Sequence, residues 1–488
     1  MKTRLLVALL VAFLTAAACT GGDDTDEPTP TSGTGETGGT GEFSLAAAAE
    51  PYQGTEIRIL DEISDLQPVF YEELVSQFEE ETGITVDVEI QGHFDVITNG
   101  EADLFSGGGA FDAVMLHMWQ LPNSLEAQAV QFIDPYLDDP ALRDPSVDFG
   151  NFVQPMTDET TLVDGNRAGF LNWSYNQVWI GRKDLMEHPD EQAAFEEEYD
   201  YALAAPQTLQ EMRDIAEFFT RDEGDTLGDE TLSSPVYGFI QEGARLGATW
   251  SDAWYNYIKQ SGGDLFDESG TPTADRPENV DGLEFWKSMF EFAPPGAAEL
   301  SLVDIPVILG EGQAVTGIAW SDFFWTVDSD AGSPHAGNFT YAPVPPNADS
   351  PDSHQVNAAP SLLVISNASD NKEATYLFLQ WMVSQETQDA WLDLVVNQGL
   401  GGFDPILQSS IDNPMYSQGP RAELLAAIAG SVAVGHPTPL IQGFPQFQDP
   451  MLQRFQEALL GSSAQEALGG LQEDLTAICS ADCLLSVG

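Results

Sequence analysis

Positive charge is what this chain has least of. Its 488 residues include only 16 Lys and Arg, five of them Lys, against 79 Asp and Glu, for a formal net charge of −63. So few cations exclude nucleic acid as a partner, because phosphate is held by Lys and Arg displacing counterions. They equally exclude peripheral docking on an anionic membrane surface. Also missing are GxSxG, HExxH and GxxxxGK[ST], so the local signatures of those nucleophile, zinc and phosphate sites are absent. Beyond Leu5–Leu14 no second apolar run suggests a membrane span.

What is present is globular. A hydrophobic share of 42% and an aromatic share of 10% exclude collagen, a heptad rod and a wholly disordered chain. The length implies two to three domains. The excess carboxylates admit two readings, a site for a cationic ligand or a solvated coat that keeps the protein soluble in concentrated salt. The acids are spread along the whole chain, which favours the salt-adapted, halophilic coat.

The first residues read as an export signal. Lys2 and Arg4 precede the apolar run Leu5–Leu14, then Thr15-Ala16-Ala17-Ala18-Cys19, the pattern of a secretory leader over residues 1–18. Small residues directly before Cys19 resemble the lipobox of bacterial lipoproteins, which implies acylation of Cys19 and anchoring at the outer face of the cell membrane. Ala16 departs from that pattern, which usually has Leu there, and ordinary secretion with a free Cys19 is the alternative. Cys479 and Cys483 are read as a local disulfide in an oxidising compartment. No His lies near them in sequence to complete a metal site.

Residues 19–52 are expected to be an acidic Thr/Gly-rich tether, on the order of 30 Å end to end. The GTGETG at 33–38 has no strand before it or helix after it in pattern, so it is chance composition. From Thr55 the pattern turns regular. Glu56–Leu60 predicts a strand, Pro68–Glu81 a helix with Phe70, Leu74 and Phe78 on one face, and Ile84–Ile90 and Ala113–Leu116 further strands. This alternation predicts a parallel α/β layer with ligands at the carboxyl ends of its strands. Further along, Thr208 and Ser463 open capped helices, and Ala374, Leu377, Phe378, Trp381 and Met382 form a core stripe.

Seven strings in order resemble the extracellular solute-binding proteins of ABC transporters, family 1, the sugar-binding group. They are FEEETGITVDVEI at 78–90, FDAVMLHMWQLPNSLEAQAVQFIDPYL at 111–137, SYNQVWIGRKDL at 174–185, PQTLQEM at 206–212, YGFIQE at 237–242, SGGDLFDESG at 261–270 and GEGQAVTGIAWSD at 310–322. Gln177 stands where that family usually has Lys, and Asn357-Ala-Ala-Pro360 where it commonly has Gly-Gly. The resemblance implies an α/β fold of two lobes, the type II periplasmic-binding-protein-like fold, with a ligand cleft and three interlobe crossings. It places the N-terminal lobe at 53–168 plus 346–397 and the C-terminal lobe at 169–345 plus 398–488. The crossings would fall near 168–174, Tyr341–Pro346 and Asn397–Gly402. It also implies a monomer that delivers solute to ABC permease subunits, without cofactor, metal or catalysis.

A sugar site needs aromatic rings for C–H faces and fixed polar groups for hydroxyls. The candidate ligand-binding residues are Trp119, Trp320, Trp173, Trp250, Phe444, Asp322, Glu242, His117, Gln120 and Gln398. Trp119, with His117 and Gln120, follows a predicted strand, and Trp320-Ser-Asp322 follows another. Trp173 lies at the first expected crossing and Trp250 at a helix start. By the resemblance, Phe444 supplies a late aromatic and Glu242 an acidic contact. Trp254, Trp286, Trp325, Trp381 and Trp391 are read as packing, and the six His show no ligand spacing. The acid-rich loop Asp222–Asp229 does not match EF-hand spacing and is taken as solvated. Alternatives are a polyamine held by Asp322, Glu242 and stacked Trp, or a surface-anchored glycoside hydrolase using two of the many carboxylates.

Overall fold

The computed structural model describes residues 43–479 apart from 64–65, 247–248, 401–402, 420 and 442. The leader, Cys19, the expected tether up to residue 42 and Cys483 lie outside the described residues; Cys479 is disulfide-bonded. Structure begins before the expected end of the tether at 52. Ser44 caps a short helix over Leu45–Ala49, accepting from the Ala47 N–H at 3.3 Å. Ala49 is buried and Leu45 packs on the core, because LAAAA supplies apolar surface that the preceding Thr, Gly and Glu do not.

Ten strands carry the two large sheets. In chain order they are β1 (Glu56–Glu62), β2 (Thr85–Gln91), β3 (Ala113–His117), β4 (Val130–Gln131), β5 (Gly169–Trp173), β6 (Gln177–Arg182), β7 (Tyr237–Ile240), β8 (Ala314–Trp320), β9 (Phe339–Pro343) and β10 (Ser361–Ser366). The six-stranded sheet has the order β2-β1-β3-β10-β4, with β5 also on β10, and the four-stranded sheet has the order β7-β8-β6-β9. β2, β1 and β3 run parallel, so their carboxyl ends lie side by side at one edge of the sheet. Side chains alternate across the pleat in the second sheet. Val178, Ile180 and Tyr341 join one core cluster, while Trp179, Ile318 and Ala342 join the other.

Helices cover the sheets where the apolar spacing predicts them. Gln67–Thr82 buries Phe70, Leu74 and Phe78 and stops at Gly83, whose φ of 71° suits a residue without Cβ. Thr208 caps Leu209–Phe219 through the Glu211 N–H at 3.1 Å. Ser463 and Glu466 close a reciprocal capping box before Ala464–Ile478.

The crossings fall later than expected, each for a local reason. β5 still pairs with β10 of the first sheet, so the first passage is Ser174–Asn176, at the far end of the expected 168–174. Asn357 still pairs with His436 and is held by Asn256 and Asp252, whereas Ser361 already pairs with His117. The second passage is therefore 358–360, beyond Tyr341–Pro346, and Ala358 bridges Asn176 of the first. Leu407 bridges Phe152 and Tyr416 donates to the Phe403 carbonyl at 3.0 Å, while Arg421 pairs with Asp328 beneath Ala422–Val432. The third passage thus follows Tyr416 instead of Asn397–Gly402.

Two buried carboxyls hold residues in or beside the first two passages. Asp404 accepts from Asn176 Nδ2 at 2.9 Å and Ser321 Oγ at 2.6 Å. Asp252 Oδ1 accepts from Gln177 Nε2 at 2.9 Å and Asn357 Nδ2 at 2.6 Å. Burial, against the pull of these hydrogen bonds, raises Asp404 to about 6 and Asp252 to about 7. An unfolded Asp titrates near about 3.9, so the folded state holds protons that the unfolded chain gives up. Their stability contribution is present below about pH 4 and is lost as pH rises towards about 7. We expect Asp252→Asn to lose less melting temperature than the native protein between about pH 5 and about pH 8, measured in high salt. An unchanged pH slope would contradict the raised pKa.

Candidate functional site

The carboxyl ends of β1, β2, β3 and β8 meet across one cleft, lined by Glu62, His93, His117, Trp119, Tyr175, Leu302, Trp320, Asp322, Phe323 and Ala359. Its volume is about 390 Å³ including the open mouth. From the six-stranded sheet, Glu62 ends β1, His93 follows Gly92 after β2, and His117 ends β3. From the other sheet, Trp320 ends β8 and Asp322 lies in the turn Ser321–Phe323. The rim is apolar as well: exposed Ile63, Phe94 and Val303 each follow a lining residue.

Glu62 is the hub of the polar floor. Its Oε1 lies 2.6 Å from His93 Nδ1 and its Oε2 lies 3.0 Å from His117 Nε2. Burial pulls the Glu62 pKa upward, yet His117 and then His93 outweigh it and hold the carboxyl down at about 2. Burial also draws His117 below its ordinary value, against the pull of Glu62. Beside it, Asp61 Oδ2 accepts from the Tyr71 hydroxyl at 2.6 Å, Asn172 Nδ2 reaches both Asp61 oxygens, and Asp61 Oδ1 accepts from the Glu62 N–H at 2.8 Å. Burial exceeds these bonds and raises Asp61 to about 6.

Aromatic groups form the walls. Trp119 is half-buried and stacks on His117, with centroids 4.4 Å apart and planes 5° apart. Trp320 faces the cleft from the second lobe, its Nε1 donating to Glu242 Oε1 at 3.2 Å. Tyr175 bridges the lobes from the first crossing. Its hydroxyl accepts from Gln67 Nε2 at 2.5 Å, and its backbone sits at φ 21°. That strain, roughly 1–3 kcal/mol for a side chain without Asx chemistry, is held in place by the cleft packing.

The predicted residues divide into three groups. Trp119, Trp320, Asp322 and His117 line the cleft together. Trp250, Phe444, Glu242 and Gln120 stand behind it, all buried. Trp250 backs Trp119 edge-on at 6.4 Å and packs on Phe444 at 5.0 Å. Gln120 Oε1 accepts from the His117 N–H at 3.1 Å, so it shapes the turn that carries Trp119. The remaining two lie elsewhere. Trp173 faces another cavity with Trp391 and Asp404, and Gln398 is exposed at the end of the helix Gln385–Gln398. Of the tryptophans read as packing, Trp254, Trp286 and Trp391 are buried, but Trp325 is 43% exposed.

Glu62, His93, Tyr175 and Phe323 were not among the residues expected from sequence. The strand-end rule would have reached Glu62 had the strand been extended past Leu60. The His spacing along the chain hides that His93 and His117 converge through the β2-β1-β3 order, with Glu62 between them and their ligating atoms within 4.8 Å.

A family model described as bacterial extracellular solute-binding protein matches residues 63–389. The chain is 23% identical over 425 residues to an erythritol/L-threitol-binding protein of Mycolicibacterium smegmatis, covering 83% of this chain and 80% of that one. A ribitol complex of an ABC transporter solute-binding protein from Agrobacterium radiobacter K84 superimposes with a TM-score of 0.69 at 22% identity, covering 87% of this chain and 99% of that one. Maltose-bound MalE3 of T. maritima gives 0.67 at 20% identity, over 87% and 100% of the two chains. At these identities the two structures establish the two-lobe periplasmic-binding-protein fold.

Proposed function

The chain belongs to the bacterial extracellular solute-binding proteins, and from that premise we propose that it captures a sugar or polyol between its lobes for an ABC importer. The observation that carries this is the pairing of strand ends from both sheets around one cleft, with Trp119 on one side and Trp320 and Asp322 on the other. Flat rings suit the C–H faces of a polyhydroxy solute, while Glu62 and Asp322 accept from its hydroxyls. The narrow space between the Trp119 and Trp320 walls favours a monosaccharide or short polyol over an oligosaccharide. The erythritol/L-threitol-binding relative points the same way by its name.

Contacts made by the solute to both lobes would favour the closed form, coupling occupancy to a shape the permease reads. Lipid anchoring at Cys19, the extracellular face of the cell membrane as location and the carboxylate coat as a salt adaptation complete the reading. A thermal-shift panel of sugars, polyols and polyamines in high salt tests it. A ligand at a hundred times its dissociation constant adds about 2.7 kcal/mol, and one sugar or polyol is expected to give a saturable rise. A response to polyamines alone would overturn the assignment in favour of a cationic solute.

A further inference from the structure

We propose that Glu62, His93 and His117 form a three-ligand site for a divalent transition ion of the Zn²⁺ type on the cleft floor, its open position facing the solute. The role towards the solute rests on the capture of a sugar or polyol; the metal site does not. Three adjacent parallel strands deliver these ligands from their carboxyl ends, so the donor atoms converge although the residues are far apart in the chain.

The donor set is specific in its chemistry. Two imidazole nitrogens and one carboxylate suit Zn²⁺ and its neighbours, whereas calcium and magnesium prefer oxygen alone. Burial supports it too, since Glu62 is 7% and His117 2% exposed. A purely hydrogen-bonded cluster would require both rings to present N–H to Glu62. His93 does meet that demand at 2.6 Å. His117 does not: its Nε2 lies 3.0 Å from Glu62 Oε2 but outside hydrogen-bond geometry, leaving a buried polar atom that an ion would satisfy.

Zinc ligands at about 2.0–2.2 Å from the ion stand roughly 3.3 Å from one another. Uptake of an ion would widen the present His–Glu gaps of 2.6 and 3.0 Å slightly, with all three donor atoms already within 4.8 Å of one another. Three protein ligands leave one tetrahedral position open. Trp119, Tyr175, Trp320 and Asp322 surround that side, so a solute hydroxyl would complete the coordination between stacking rings.

Two titrations of chelator-treated full-length protein in high salt test this, where surface carboxylates hold ions weakly. In the first, Zn²⁺ is titrated by calorimetry and Co²⁺ by visible absorption. We expect one equivalent to bind, with the intense Co²⁺ bands of a four- or five-coordinate site. Affinity should fall at least a hundredfold in His93→Ala and in His117→Ala, while Glu62→Gln checks the carboxylate with little change of shape. Circular dichroism and melting of each variant establish that it folds. Absence of a saturable site, or a site unchanged in both His variants, overturns the proposal. In the second, the best solute from the panel is titrated with chelator and with Zn²⁺, and at least tenfold tighter binding with Zn²⁺ is expected. Equal affinity in both overturns the role towards solute. Solute binding in chelator with no metal uptake leaves the capture reading standing and sinks the metal site. Metal uptake with no binding of any sugar or polyol does the reverse.

Discussion

Replacing Trp320 by alanine is expected to lower solute affinity by about tenfold or more, a loss above about 1.4 kcal/mol. The ring is the main apolar surface that the second lobe offers at the end of β8, so its removal takes away the stacking partner opposite Trp119. It also removes the Nε1–H that Glu242 accepts at 3.2 Å, loosening the buried carboxylate behind the wall. Trp320→Phe keeps a ring while discarding that hydrogen bond and part of the indole's area, so it should fall between the native protein and the alanine variant. Trp320 is buried enough to stabilise the lobe as well, and calorimetry on protein shown to be folded separates the two effects. Unchanged affinity in folded Trp320→Ala would place the solute elsewhere.

The largest effect on folding should come from a single methyl group. A Cβ on Gly238 would lie 1.6 Å from the Ala216 carbonyl oxygen and 2.6 Å from its carbon. Gly238 sits in β7, against which the helix Leu209–Phe219 is laid, and a backbone carbonyl cannot rotate away as a side chain can. Accommodating Gly238→Ala means lifting the helix that buries Met212, Ile215 and Phe219. The cost should exceed the usual 1–3 kcal/mol or so of overpacking, and we expect little soluble folded protein. Gly469 makes the contrast. It lies within the helix Ala464–Ile478 with nothing within 4 Å of an added Cβ. Gly469→Ala should therefore stabilise the protein by about 0.5–1 kcal/mol. Chemical denaturation of both variants checks the pair, and a stable Gly238→Ala would contradict the close approach of helix and strand.

Local patterns carry much of this fold. Phe70, Leu74 and Phe78 lie one helical turn apart, and Thr208 and Ser463 sit where their caps are needed. β3, apolar from Ala113 to Leu116, reads directly as a strand covered on both faces. What local pattern hides is pairing and burial of charge. Asp61 and Glu62 look like the end of β1 because acids seldom lie inside, yet Tyr71, Asn172 and the two imidazoles compensate both. Trp250 has polar neighbours in sequence, as a ligand platform would, but Phe444, nearly two hundred residues later, closes over it. The crossings shift later because strand pairs such as Asn357 with His436 extend each lobe beyond its obvious elements. Trp119 and Trp320 were visible because each follows a strand whose carboxyl end could be located.

Capture of one polyhydroxy solute in this cleft is tested most directly by isothermal titration of the native protein with the best sugar or polyol from the thermal panel, in low and in high salt. The account predicts one saturable equivalent, affinity little changed by salt because the solute is neutral, and the solute recovered intact. A steep loss of affinity with salt, more than one equivalent, or conversion of the sugar would contradict it.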